Sequence, residues 1–262
     1  MEFLKNMKNV TDASVLKGIS VLWEDENTVA LFKPAGIIVH PDGKNEEPTL
    51  SDFVLSKWPE TKNVGEHLIL KDGREIPRPG IVHRLDRETS GVIVVAKNQE
   101  AFLNLKKQFQ GRSTKKVYRA YVYGWVKKES GMIDMPLGRS KGDFRQYVQP
   151  ARARGEMREA VTHYTTLASR GEFSYLELMP KTGRTHQIRA HLKAIGHPIV
   201  CDRIYAKEKP GGLGFDRVAL HARRLTFHSL SGQLIEVEAP FPPDFIEGEK
   251  QFLALPERIK AK

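Results

Sequence analysis

The sequence predicts an α+β fold, a mixed, largely antiparallel central sheet flanked by helices. Short β-branched and aromatic runs recur along the chain, bounded by Gly, Pro, Asn and Asp, and read as strands. Between some of them lie stretches with apolar residues three and four apart, opened by a side chain that can cap a helix. No internal repeat or low-complexity linker interrupts the 262 residues. The simplest organisation is a short leader at 1–20 followed by one domain over 21–262.

In chain order, residues 21–23 and 28–32 read as two strands joined by a turn at 24–27. Lys33-Pro34-Ala35-Gly36 then breaks the second strand into a shaped loop, because proline fixes the backbone and glycine permits unusual dihedrals. Thr49 opens a helix with Asp52 three residues on and Leu50, Phe53, Val54 and Trp58 along one stripe. A loop-rich stretch over 61–76 leads to Ile81-Val82 and Val92-Ile93-Val94-Val95, buried strand segments flanking the polar loop His83-Arg84-Leu85-Asp86-Arg87-Glu88-Thr89-Ser90-Gly91. Such a loop can present a carboxylate from a fixed position. Asn98 caps a helix over 100–110, with Phe102, Leu105 and Phe109 inward and Gly111 at its end.

Residues 116–125 alternate as a strand, with Tyr118, Ala120 and Val122 on one face, leaving room beside the Tyr118 ring for a planar partner. Residues 138–158 carry six Arg and Lys at 139, 141, 145, 152, 154 and 158 among few apolar anchors, and read as a mobile basic arm. Strands follow at 160–167 and 173–179. Thr185 is placed to cap a helix bearing Ile188, Leu192 and Ile195 and ending at Gly196. Arg184 precedes that helix, where backbone amides and a cation can meet an anion. Residues 198–205, 219–227 and 234–239 read as further strands, and Pro242-Pro243 introduces a short C-terminal helix. His186, His191 and His197 lie five and six apart, not the three or four that place ligands on one helical face, so no metal site is expected there.

The formal charge is +10. Residues 106–158 hold fourteen Lys and Arg against four acids, an excess equal to that of the whole chain. A localised basic region is the electrostatic footprint of a polyanion, and nucleic acid is the expected partner. No apolar run approaches a membrane span, and the first residues lack the apolar core of a signal peptide. The expectation is a cytoplasmic protein without membrane association, monomeric by default. Cys201 is the only cysteine, which excludes an intrachain disulfide and a thiolate zinc cluster. It reads as a small buried core residue.

GIVHRLDRETSGVIVVAKN, KKVYRAYVYG and KTGRTHQIRAHL, in this order, resemble the RluA-type pseudouridine synthases, as do KPAGIIVHP at 33–41 and GHPIVCD at 196–202. The resemblance spans 33–202 and is to the minimal form, without an S4-type RNA-binding domain. It implies the pseudouridine synthase catalytic fold and isomerisation of uridine to pseudouridine in ribosomal or transfer RNA, with no cofactor and no metal. Asp86 matches the catalytic carboxylate, acting as nucleophile or by removing a ribose proton, and the residues leave both routes open. Arg184 matches its guanidinium partner, Tyr118 the tyrosine that stacks on uracil, and Ile188 the apolar residue on the other side of the base. Arg84 matches the arginine placed in the gap left by a flipped nucleotide. Lys33, Arg139, Arg145, Arg152 and Arg154 are candidate contacts to the RNA backbone. Two rivals remain at this stage. A non-catalytic RNA-binding module would have little reason to keep Asp86, Arg184 and Tyr118 together. A hydrolase using Asp86 and Glu88 would leave the basic region unexplained.

Overall fold

The computed structural model describes residues 16–41, 47–69, 73, 75–140, 145–148 and 153–258, without the side chains of 153 and 154. Most of the expected leader, residues 1–15, lies outside the described residues. The chain groups into two compact units, Met1–Thr114 with Leu225–Ala239, and Lys115–Arg224 with Pro240–Lys262.

In the first unit, β1 (Ser20–Glu24) and β2 (Thr28–Lys33) form an antiparallel hairpin. Its turn is set by Asp25, whose carboxylate accepts from the amides of Asn27 and Thr28 at 2.8 and 2.6 Å. The helix α1 (Leu50–Lys57) starts in a capping box. Thr49 Oγ1 accepts from the Asp52 amide at 3.3 Å while the Asp52 carboxylate accepts from the Thr49 amide at 2.8 Å. Thr49→Ala should therefore lower stability by about 1 kcal/mol, measured by urea unfolding. A loss below a few tenths would show that Asp52 holds this helix end alone.

A single 3₁₀ turn (Pro59–Asn63) and the short hairpin β3 (Leu68–Ile69) with β4 (Glu75–Ile76) lead to β5 (Ser90–Ala96). Every residue of β5 is buried, as expected of an uninterrupted β-branched run. Its period of two divides the unit's core. Val92, Val94 and Ala96 pack with Phe102 and Leu105 of α2 (Gln99–Gln110), while Ile93 and Val95 pack with Leu50 and Val54 of α1. Each such aliphatic side chain taken fully out of water contributes about 1.5–3 kcal/mol. Gly80 carries the connection into β5 at a φ of +62°, with its carbonyl accepting from the Ala96 amide at 2.9 Å. A β-carbon at Gly80 would stand 1.9 Å from the Ala96 oxygen, so only glycine fits.

The second unit contains β6 (Lys115–Tyr123), β7 (Ser130–Asp134), β8 (Leu137–Ser140), β9 (Gln146–Tyr147), β10 (Ala153–Arg158), β11 (Val161–Arg170), β12 (Phe173–Pro180) and α3 (Gln187–Ala194). Strands β6-β12-β11-β7 are neighbours in that order, all antiparallel, and β10-β8-β9 make a separate three-stranded sheet. Ile188 and Leu192 of α3 join Ala120, Val122, Leu176 and Leu178 in the core. Next, β13 (Leu220–His228) runs through the boundary between units, β14 (Leu234–Glu238) pairs with it, and α4 (Pro243–Leu253) brings Phe245 and Phe252 against Tyr121. In the first unit the strand order is β1-β2-β5-β13. Among the described residues no helix is long and apolar enough to cross a membrane.

The predicted fold class holds, since every described strand pairing with a resolved register is antiparallel and helices pack on the sheets. Four local expectations do not. Residues 198–205 are turns with one isolated bridge, Val122 to Ile199, because Asp202 accepts from the amides of Ile204 and Tyr205 and folds the chain over. The described part of 138–158 is a sheet seated on the cluster of Leu137, Ala160, Ala190 and Tyr205, not an unanchored arm. Thr185 does not cap α3, whose first turn is entered through His186 at a left-handed φ of +52°. Cys201 is only half-buried, at a φ of +56°, its thiol donating to the Phe215 carbonyl at 3.0 Å.

Candidate active site

The predicted site residues divide between the two units. Arg84 and Asp86 share the loop before β5 in the first; Tyr118, Ile188 and Arg184 lie in the second.

The Asp86 loop is pinned at several points. Leu85 is buried, and the Asp86 carbonyl accepts from the Thr89 amide at 3.1 Å. The Arg87 carbonyl accepts from the Gly36 amide at 2.9 Å and from Lys33 Nζ at 3.1 Å. His83 Nε2 accepts from the Val94 amide at 3.0 Å, which leaves the proton of the neutral ring on Nδ1, and the ring stacks on Phe109 with centroids 4.5 Å apart. Asp86 itself is half-buried between the buried Leu85 and the exposed pair Arg87 and Glu88. The Arg87 guanidinium pairs with Glu47. The loop thus holds a carboxylate at the protein surface on a backbone that cannot readily shift.

Lys33 corrects an expectation. Its side chain is 0% exposed, and its ammonium donates to the carbonyls of Pro34, Ile37 and Arg87 at 2.8, 2.8 and 3.1 Å. A lysine so enclosed does not reach an RNA phosphate. It ties the KPAG loop to the loop of Asp86, and the three carbonyl dipoles offset the cost of burying its charge.

Arg78 and His40, which the sequence reading did not single out, both feel the charge of Arg84 on this loop. His40 Nδ1 is 3.2 Å from Ser51 Oγ, whose own hydroxyl donates to the Val39 carbonyl at 3.0 Å, so Nδ1–H is the donor. Burial first, then the charges of Arg78 and Arg84, hold His40 neutral with its pKa pushed down to about 3. The unfolded chain binds a proton near pH 6.5 that the folded chain refuses, so stability is full above that pH and falls as pH drops toward 3. Between pH 7 and pH 5 the protein should lose about 1–2 kcal/mol more than His40→Gln in urea unfolding. His191, lowered mainly by burial, acts in the same direction in both proteins. Equal losses would show that His40 does not titrate in this window.

In the second unit, Tyr118 is half-buried in β6 opposite Leu178 and packs against the core cluster that contains Ile188. Its neighbour Arg119 pairs across the strands with Glu177. Ile188 is 6% exposed. Arg184 is set by the tight turn before α3, its amide donating to Gln187 Oε1 at 3.0 Å and its Nε to the Glu159 carbonyl at 3.2 Å. Gln187, another residue the sequence reading passed over, is buried. It accepts from Thr182 Oγ1 at 2.6 Å and donates to the Val161 carbonyl and Thr162 Oγ1 at 3.0 Å. Its carboxamide ties the turn before α3 to β11, and no side chain caps the first amides of the helix.

Of the expected backbone contacts, Arg139 is exposed on β8 and Arg145 is half-buried over the ring of Tyr147, 5.6 Å from its centroid. Arg152 lies outside the described residues, as does the side chain of Arg154, whose Cα pairs with Arg139 in the β8–β10 register.

Comparison with known proteins bears on this arrangement. The sequence model of the RNA pseudouridylate synthase family matches residues 27–194, which include the loop of Asp86, Tyr118 and the segment of Arg184 and Ile188. An uncharacterised RNA pseudouridine synthase of Synechocystis sp. is 38% identical over 92% of this chain and 70% of its own length. The ribosomal large subunit pseudouridine synthase D of Nitrosomonas europaea is 37% identical over 86% of this chain and 63% of its own length. Among solved structures, human RNA pseudouridylate synthase domain containing 4 superposes with a TM-score of 0.69 at 24% identity, covering 98% of this chain and all of that one, a likeness of fold.

Proposed function

This chain belongs to the RNA pseudouridylate synthase family, whose members are isomerases acting on uridines in RNA, and from that premise we propose that it converts uridine to pseudouridine in ribosomal RNA. The bond from uracil N1 to ribose C1′ breaks, the base turns, and a bond from C5 to C1′ forms. The proton on C5 then leaves to solvent while N1, freed from the ribose, takes one up, so mass is conserved. Asp86 acts on the ribose, as nucleophile or as base, and needs its carboxylate ionised while substrate excludes water. Arg184 supplies the opposing positive charge, Tyr118 stacks on the base and assists loss of the C5 proton, and Ile188 covers its other face. A uridine within a stem is out of reach of any carboxylate, so the nucleotide is flipped out, at a cost of a few kcal/mol, with Arg84 filling the gap. Arg139 and Arg145 meet the phosphate backbone, and the enzyme works in the cytoplasm as a monomer.

The observation that carries the reading is the family match running unbroken through the segments of Asp86, Tyr118 and Arg184. Ribosomal RNA is favoured over transfer RNA by relatives named as ribosomal large subunit enzymes. The test is release of tritium from uracil C5. RNA labelled at that atom should lose tritium to water in proportion to the pseudouridine formed, with large-subunit ribosomal RNA the better substrate. No release from either ribosomal or transfer RNA would end the reading; release from transfer RNA alone would overturn the choice of substrate.

A further inference from the structure

We propose that Tyr205 is a positioning residue in the second unit: its hydroxyl carries the seating of RNA on the small sheet β10-β8-β9 to the start of α3, where Arg184 and Ile188 are set. The assignment deepens the proposed action on RNA and rests on it. Tyr205 is 6% exposed and shares a cluster with Leu137 of β8 and Ala190 of α3. Its hydroxyl serves two elements. The Gln146 amide of β9 donates to it at 2.8 Å. His186 Nδ1 lies 3.3 Å from the same oxygen, the imidazole edge-on to the phenol ring with centroids 5.8 Å apart. A hydroxyl has one proton and two lone pairs, so it accepts from the amide and still bonds the imidazole. Gln146 is opposite Arg139 in the β8–β9 register and follows Arg145 in the chain. The amide that donates therefore lies next to both proposed contacts to the RNA backbone.

His186 is the other end of the link. It enters α3 at a φ of +52° and a ψ of +20°, a conformation uncommon for a residue with a β-carbon and kept only where contacts hold it. No side chain caps that first turn, and the Tyr205 hydroxyl is one support of the His186 ring. Arg184 and Ile188 lie two residues to either side of His186, so a change in its dihedrals reorients both. Residues at the end of an element are where such changes are absorbed. The phenol itself is held firmly. The Arg189 guanidinium lies over its ring, 5.4 Å from the centroid, and the Tyr205 amide donates to the Asp202 carboxylate at 3.0 Å. A close-packed ring bonded at both sides transmits a displacement instead of absorbing it.

Tyr205→Phe tests the link, since it keeps the ring, its packing and the face under Arg189 and removes only the hydroxyl. Amide hydrogen exchange is followed with and without a uridine-containing oligonucleotide, a measurement that needs no turnover. In wild type the oligonucleotide should slow exchange about tenfold at Tyr147 and also at Ala190, whose amide donates to the His186 carbonyl at 2.9 Å. In Tyr205→Phe the slowing should persist at Tyr147 and fall below about threefold at Ala190. For tritium release, kcat should fall about tenfold with KM within about twofold, and the melt should move by no more than about 3 °C. No slowing at Ala190 in wild type, equal slowing in both proteins, or an unchanged kcat would overturn the role of Tyr205. No slowing at Tyr147 would overturn it as well, because RNA then seats elsewhere. A wild-type protein that releases no tritium would end the proposed isomerisation without touching the link, which exchange alone then decides.

Discussion

Asp86→Asn is expected to reduce tritium release from uracil C5 by about a thousandfold or more, while oligonucleotide affinity stays within a few-fold of wild type. The substitution keeps size and most hydrogen bonding and removes only the charge and the nucleophilic or basic oxygen. The loop should not move, because its fixed points are backbone atoms: the Arg87 carbonyl on Gly36 and Lys33, and the Asp86 carbonyl on the Thr89 amide. Binding should persist because the basic segment over 106–158 is untouched. Release at the wild-type rate from the Asn variant would remove Asp86 from the chemistry. Loss of binding in step with activity would mean that the carboxylate holds the RNA instead of acting on it.

How far the sequence could be read depended on whether a residue's partners lay close along the chain. Strands announced themselves through composition, as in SGVIVVA, where burial on both faces demands apolar side chains throughout. The capping box of Thr49 and Asp52 and the cap at Asn98 were legible for the same reason, being local. Lys33 was misread because the groups that solvate it are backbone carbonyls, which leave no mark in side-chain pattern, and one of them is 54 residues away. Thr185 was assigned the cap of α3 by type and position, but the helix is entered through a left-handed His186 with no side-chain cap, and Gln187 ties that start to Val161 and Thr162 on β11. Arg78 and His40 were not singled out. Burial sets them apart, and it is not written in the sequence. Asp86, Tyr118, Arg184 and Ile188 were singled out through family resemblance; spacing alone would have left each as an ordinary turn, strand or helix residue.

The largest expected effect on stability lies in the second unit, at the ion pair of Arg189 and Asp202. Asp202 is 1% exposed, and its oxygens accept from Arg189 Nε and a terminal guanidinium nitrogen at 2.8 Å each, a two-pronged pair. The same carboxylate accepts from the amides of Ile204 and Tyr205 at 2.9 and 3.0 Å, and the Arg189 guanidinium lies over the Tyr205 ring, 5.4 Å from its centroid. Tyr205 in turn accepts from the Gln146 amide at 2.8 Å. One pair therefore joins α3, which carries Ile188, to the turn at 202–205 and to the small sheet that carries Arg139 and Arg145. Asp202→Asn keeps an oxygen for the two amides but strands the guanidinium without its counter-charge. The cost should be about 3–5 kcal/mol, and a thermal melt should shift down by roughly 10 °C. Replacing both partners by apolar residues of similar size, Arg189→Met with Asp202→Leu, should cost clearly less than the single change, because no unpaired charge is then buried. The comparison separates two readings of the pair. If the double variant is as unstable as Asp202→Asn, the turn amides and not the guanidinium are what Asp202 serves; if Asp202→Asn melts within about a degree of wild type, water reaches Arg189 and the pair is not buried in solution.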